Sequence, residues 1–104
     1  MKYGELQLKF NAASDRIELE VEGSTAFIQY KLLGKTLFLI HTEVPPELEG
    51  KGVGSAIVTK ALQYARENEY KVVPLCVFVQ SFLKRHPEWK DIVASSDERH
   101  THKH

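Results

Sequence analysis

Three glycines, Gly50, Gly52 and Gly54, alternate with Lys51 and Val53 just ahead of an apolar helical pattern. A glycine inside a helix costs about 1 kcal/mol relative to alanine, so helix stability does not account for them. Bare backbone does. The first turn of a helix exposes unpaired N–H groups at the positive end of its dipole. Glycines let those donors close around an anion with no Cβ in the way. A strand running into such a turn suits a pyrophosphate, with Lys51 adding a positive charge nearby. The plainer alternative is a flexible connection between strand and helix. The string GKGVGSA matches neither G-x-x-x-x-G-K-[ST] nor G-x-G-x-x-G, because Ile57 stands three after Gly54.

Two further groups carry chemistry. His41 and Glu43 stand two apart in an extended run and so share a face. Either can take a proton, and histidine titrates nearer neutral pH. The alternative for His41 is a buried, hydrogen-bonded side chain beside LFLI. Cys76 stands where a buried strand ends and a helix begins, a place whose dipole favours a thiolate. Its plainer reading is a small apolar core residue. His86, Pro87 and Trp89 form a third cluster, read as a helix end capped over the core.

The elements that position these residues follow from apolar periodicity. Leu6, Leu8 and Phe10 alternate, as do Ile17, Leu19 and Val21, then Ala26, Ile28, Tyr30 and Leu32. LLGK reads as a hairpin connection, with Gly34 free to take a positive φ. The continuous apolar run of TLFLIHTEV predicts a central strand covered on both faces. The prolines of VPPELEG end it. Behind the glycines, Val53, Ile57, Ala61 and Ala65 recur at spacings of four, predicting an amphipathic helix of about 16 residues. YKVVPLC predicts a short buried strand. VFVQSFLKRH predicts a second helix, with Val77, Phe78, Phe82 and Leu83 as its apolar contacts, stopped by Pro87. PEWKDIV closes the pattern as a turn packed by Trp89 and Ile92. The fold class is therefore α+β: antiparallel N-terminal strands, then helix, strand, helix, with a crossover over residues 36–76 that adds a parallel pair to a mixed sheet.

Composition bounds the function. The 104 residues carry 14 Lys and Arg against 14 Asp and Glu, and 42% are hydrophobic. That length fits a single domain, read as 1–94, with a polar, mobile, solvated tail over 95–104 whose three histidines are expected to hold no metal. A neutral chain argues against a general nucleic-acid binder. The single cysteine excludes an intrachain disulfide. The N-terminal MKYGELQLKF has no leader pattern, and no apolar run reaches the roughly 20 residues of a membrane helix. The chain reads as cytoplasmic, with no membrane partner, and as a monomer or weak dimer.

The same residues resemble a known family. EGKGVGSAIVTKAL resembles the acetyl-coenzyme A signature of the GNAT superfamily of N-acetyltransferases, Q/R-x-x-G-x-G/A, with Gly52 and Gly54 at its glycines. HTEVPPELEGKGVG followed by KVVPLCVFVQSFLKRHPEW resembles the minimal single-domain branch called YjdJ-type, over roughly residues 14–93. The resemblance implies a splayed mixed sheet with acetyl-coenzyme A wedged where two parallel strands part. The pantetheine arm would lie along the backbone near Glu43 and Val44, and the pyrophosphate on N–H groups of Gly50, Lys51, Gly52, Val53, Gly54 and Ser55. Lys84 or Arg85 would reach the 3′-phosphate, and Lys84 is the expected one. It implies an acetyl-coenzyme A-dependent N-acetyltransferase acting on a primary amine, of a protein lysine or a small molecule. His41 or Glu43 would be the base for direct attack, or Cys76 would carry the acetyl group.

The departures are specific. Glu49 occupies the signature position where Gln or Arg is usual, and a carboxylate there is unfavourable for a pyrophosphate, so it is left out of the expected site. Phe82 falls where larger members carry a proton-donating tyrosine. The two N-terminal helices that shape an acceptor pocket in larger members are missing, implying an open groove. A coenzyme A-binding module without catalysis is the alternative.

Overall fold

The computed structural model describes residues 3–94. The predicted tail over 95–104 lies outside them. Five strands, β1 (Lys9–Asn11), β2 (Arg16–Val21), β3 (Ser24–Leu33), β4 (Thr36–Glu43) and β5 (Lys71–Pro74), form one sheet in the order of the chain. The first four pair antiparallel, and β4 and β5 pair parallel. Helix α1 (Val53–Glu67) makes the crossover between β4 and β5, and α2 (Val77–Arg85) follows β5. Short 3-10 turns span Pro46–Leu48 and Pro87–Ile92.

Alternation decides the sheet. Ile17, Leu19, Val21, Ala26 and Ile28 are all buried, and α1 lies across β2 and β3 with Val53, Ile57, Ala61 and Ala65 in the same core. The hairpin between β3 and β4 turns at Gly34, whose φ of 59° is the left-handed value that glycine takes without strain. At the start of the chain the alternation overstates the strand. Only Lys9–Asn11 pairs, Leu6 is exposed, and the Phe10 ring leans on Tyr64 of α1 with ring centroids 4.6 Å apart.

Two expectations about apolar faces change. Strand β4 is central in its pairing, but it is covered on one face: Leu37 and Leu39 are buried whereas Phe38 and Ile40 are half-buried. In α2, Val79 and Phe82 are the buried residues, and Val77 is 74% exposed. A nine-residue helix offers only about two and a half turns, so its apolar phase is set by what it packs on and not by its own pattern. Beyond it, Trp89 and Ile92 pack into the core as expected, and the Arg66 guanidinium lies 4.3 Å over the Trp89 ring.

Two irregularities shape the far end of β4. First, β4 and β5 pair only over Thr36–Leu39 against Lys71–Pro74. The Leu39 carbonyl closes this ladder by accepting from the amides of both Leu75 and Cys76. The chain then leaves β4, whose last four residues continue with no partner strand on that side among the described residues. Second, the register against β3 shifts so that Gln29 faces His41 while Tyr30 faces Leu39, leaving Ile40 as a bulge. A bulge reverses the alternation beyond it. Thr42 therefore pairs with buried Ile28 and turns to the helix-covered face, and His41 and Glu43 turn to the other.

Candidate active site

Where β4 and β5 part, a cleft of about 510 Å³ opens. Its walls are the end of β4 (Thr42, Glu43) with Val44 just beyond it, the loop residues Leu48, Glu49, Gly50 and Gly52, the first turn of α1 (Val53, Gly54, Ser55) and two residues of α2, Phe78 and Arg85. Strand end, glycine loop and helix start meet there because β4 runs directly into the loop.

Gly50 and Gly52 both have φ near 80°, a backbone region that side chains rarely enter. They turn the chain so that α1 begins with its amides toward the cleft. The first helical bond runs from the Ala56 N–H to the Gly52 carbonyl, and no side chain caps the helix. The N–H groups of Val53, Gly54 and Ser55 thus have no acceptor within the helix. Lys51 differs from its neighbours. Its N–H already donates to the Leu48 carbonyl at 3.3 Å, and it is not among the cleft walls. Its Nζ pairs with Glu22 at 3.0 Å.

The loop is held from outside. Tyr3 donates its hydroxyl to the Lys51 carbonyl at 3.1 Å, and Leu48 is fully buried. Ser24 donates to Glu47 at 2.7 Å, and that bond holds the Glu47 carboxyl below its usual range. Together these contacts tie the loop to the β2–β3 hairpin.

Gly54 has a different task from the other two glycines. It is helical and buried, and a Cβ placed on it would lie 2.6 Å from the Phe78 ring. Its bare backbone is what lets α2 approach the start of α1. The Phe78 ring, 38% exposed, forms the wall of the cleft at that contact.

The titratable residues separate into two groups. His41 Nε2 and Glu43 Oε1 lie 2.7 Å apart, both well exposed, and Glu43 reaches the cleft wall whereas His41 stands one residue outside it. Cys76 is 7% exposed, its Sγ 3.3 Å from Thr42 Oγ1, and it lies behind the cleft wall. The strand stands between the two groups, since Thr42 faces opposite to its neighbours.

Charge at the cleft departs from expectation in two places. Arg85, not Lys84, lines it; Lys84 lies on a separate groove with Pro74 and Lys90. Helical phase explains the difference: Arg85 is seven residues from Phe78 and shares its face, and Lys84 does not. Glu49, set aside on charge grounds, does line the cleft, as an exposed side chain. Of the residues that line the cleft, Thr42 and Phe78 were not expected in the site, and Arg85 was the less favoured of the Lys84–Arg85 pair. The Phe78–Arg85 spacing was the signal available for two of them.

Comparison with known proteins bears on this geometry. The family model for GCN5-related N-acetyltransferases matches residues 16–92. Among curated proteins, Protein NATD1 of Xenopus tropicalis is 28% identical over 87 residues, covering 83% of this chain and 72% of that protein. Protein NATD1 of Homo sapiens is 32% identical over 63 residues, covering 60% of this chain and 56% of that one. A GCN5-like candidate N-acetyltransferase of Staphylococcus aureus, solved by NMR in solution, superposes with a TM-score of 0.66 at 27% identity, covering 95% of this chain and 97% of its own.

Proposed function

As this chain belongs to the GCN5-related N-acetyltransferase family, we propose that it transfers an acetyl group from acetyl-coenzyme A to a primary amine. The observation that carries the reading is the set of helix-start amides, Val53, Gly54 and Ser55, opening on a cleft beside an unpaired strand end. Acetyl-coenzyme A supplies an acyl thioester activated toward amines. The chain's own residues supply the rest. The α1 amides with Gly50 and Gly52 hold the diphosphate, and Arg85 takes the role first expected of Lys84. The free backbone edge of β4 at Glu43 and Val44 aligns the extended arm as an added strand.

The exposed His41–Glu43 pair removes the amine's proton. The imidazole nitrogen accepts the proton, and the carboxylate 2.7 Å away orients its ring. Direct attack suits the geometry better than an acetyl-cysteine, because Cys76 is buried behind Thr42 and already hydrogen-bonded. The acceptor reaches the pair from the open sheet face, where Gln29 and Phe27 are its neighbours. A protein lysine and a small amine both fit so open a face.

A binding module without catalysis is the second reading. Phe82, which has no proton to give, is buried and stacked on His86 with ring centroids 4.3 Å apart. Calorimetry with coenzyme A, followed by product analysis with lysine peptides and polyamines, separates the readings. The acetyltransferase binds and turns over; the module binds only. Absence of binding at millimolar coenzyme A, or binding unchanged in Gly52→Asp, would remove both.

A further inference from the structure

The last three residues of β4 present alternate faces beside the cleft: Thr42 and Glu43 line its wall, and His41 stands one residue outside it. His41 and Glu43 share a 2.7 Å hydrogen bond on the open face, while Thr42 turns to the helix side and meets Cys76 at 3.3 Å. Amide formation requires a proton to be taken from the amine and one to be given to the departing sulfur. The only residue suggested for the second task by alignment with larger relatives is Phe82, which cannot perform it. Thr42 is half-buried and lines the cleft, whereas its partner Cys76 does not. If the cysteine thiol donates to Thr42 Oγ1, the threonine proton is left pointing away from Cys76, free for a group in the cleft.

We propose that Thr42 protonates the departing coenzyme A thiolate, with Cys76 acting through it as proton source and not as nucleophile. The inference rests on the acetyltransferase reading above. As the carbon–sulfur bond breaks, its electron pair goes to the coenzyme A sulfur. The Thr42 Oγ proton passes to that sulfur while Thr42 takes the proton of Cys76 Sγ. Cys76 is left as a thiolate and recovers a proton from solvent, equal to the one the amine released through His41. The proton leaves one alkyl thiol and arrives on another, so the relay exchanges like for like. The hydroxyl between them never needs to exist as a free alkoxide.

The bound thiol reports on this directly, without turnover. Free coenzyme A is bound to the Cys76→Ser protein, which removes the competing thiol signal, and its thiolate absorbance is followed against pH. A Thr42 hydroxyl donating to the bound thiolate holds its pKa about one unit, a tenfold ratio, below that in Cys76→Ser/Thr42→Val. Cys76→Ser/Thr42→Ser, which keeps the hydroxyl in a smaller side chain, retains the lower value. Superimposable curves for the threonine and valine proteins overturn the relay. Mass spectrometry of wild-type protein mixed with acetyl-coenzyme A is the second test: an acetyl group on Cys76 also overturns the relay, and an unmodified Cys76 is the expected result. Failure of the unsubstituted protein to bind coenzyme A would instead remove the acetyltransferase reading and the relay together.

Discussion

Substituting Gly54 with alanine should change sign according to what stands opposite. Alanine in a helix gains up to about 1 kcal/mol over glycine, and somewhat less this close to the helix start. Against that, the new Cβ would lie 2.6 Å from Phe78 Cζ and within 3.3 Å of two further ring atoms. No heavy atoms tolerate that separation, so the ring must leave. Phe78 is 38% exposed, leaving about three-fifths of it in contact with the protein. Full burial of a phenylalanine contributes about 1.5–3 kcal/mol, so expelling this ring forfeits about 1–2 kcal/mol. In the wild-type background Gly54→Ala therefore loses most or all of its helical gain and comes out neutral to destabilising. In a Phe78→Ala background it stabilises by about 0.5–1 kcal/mol, a melting shift of roughly 2–8 °C for a domain of this size. Urea unfolding followed by Trp89 fluorescence across the four proteins yields the coupling, expected at about 1–2 kcal/mol. Equal effects of Gly54→Ala in both backgrounds would refute the close approach of α2 to α1 at this residue. It would also remove the reason for a glycine there.

Other predictions bear on charge and anchoring. Arg85→Ala should weaken coenzyme A binding by about tenfold, an effect that shrinks with salt, whereas Lys84→Ala should leave it unchanged by calorimetry. Glu49→Gln should tighten binding two- to threefold at low ionic strength, as expected for removing about 0.5 kcal/mol of screened repulsion at an exposed site; weaker binding would contradict the placement of the anion. The Ser24–Glu47 bond has a pH signature. Because the folded carboxyl titrates below its usual 4.5, the stability it lends is present above that pH and is lost as pH falls through the folded value. Urea midpoints of wild type and Ser24→Ala should thus differ at pH 7 and draw together as the pH falls through the folded value. His41→Ala and Glu43→Gln should each lower acetyl transfer by about 10²-fold or more while leaving coenzyme A affinity within a factor of two.

The fold was readable in the sequence wherever a single periodicity decided an element. The alternation in β2 and β3, the spacing of four along α1 and the parallel crossover all follow from local pattern, because each element buries one continuous stripe. The glycine loop was readable for a different local reason: Gly50 and Gly52 take positive φ, which few other residues suit. What escaped was set by packing between elements. Extending the alternation of Leu37 and Leu39 places His41 inward and Thr42 outward, and only the bulge at Ile40 reverses them. A bulge is a property of two strands, and nothing in TLFLIHTEV announces it. The choice between Lys84 and Arg85, and between Val77 and Val79, turns on the rotation of a nine-residue helix. That rotation buries Val79 and Phe82 and brings Phe78 against Gly54, 24 residues earlier in the sequence.

No helix among the described residues is long and apolar enough to cross a membrane. The cleft lies at one end of β4, where a strand outruns its partner and a helix begins without a side-chain cap.

The most direct trial is an amide-resolved NMR titration of the protein with coenzyme A. Saturable shifts should centre on Gly50, Gly52, Val53, Gly54 and Ser55, with Lys51 moving least among them because its N–H is already bonded to Leu48. Shifts at Thr42 to Val44 should follow the same binding curve. A titration in which these amides stay still, or in which the shifts gather on the Lys84 groove, would contradict the placement of the cofactor.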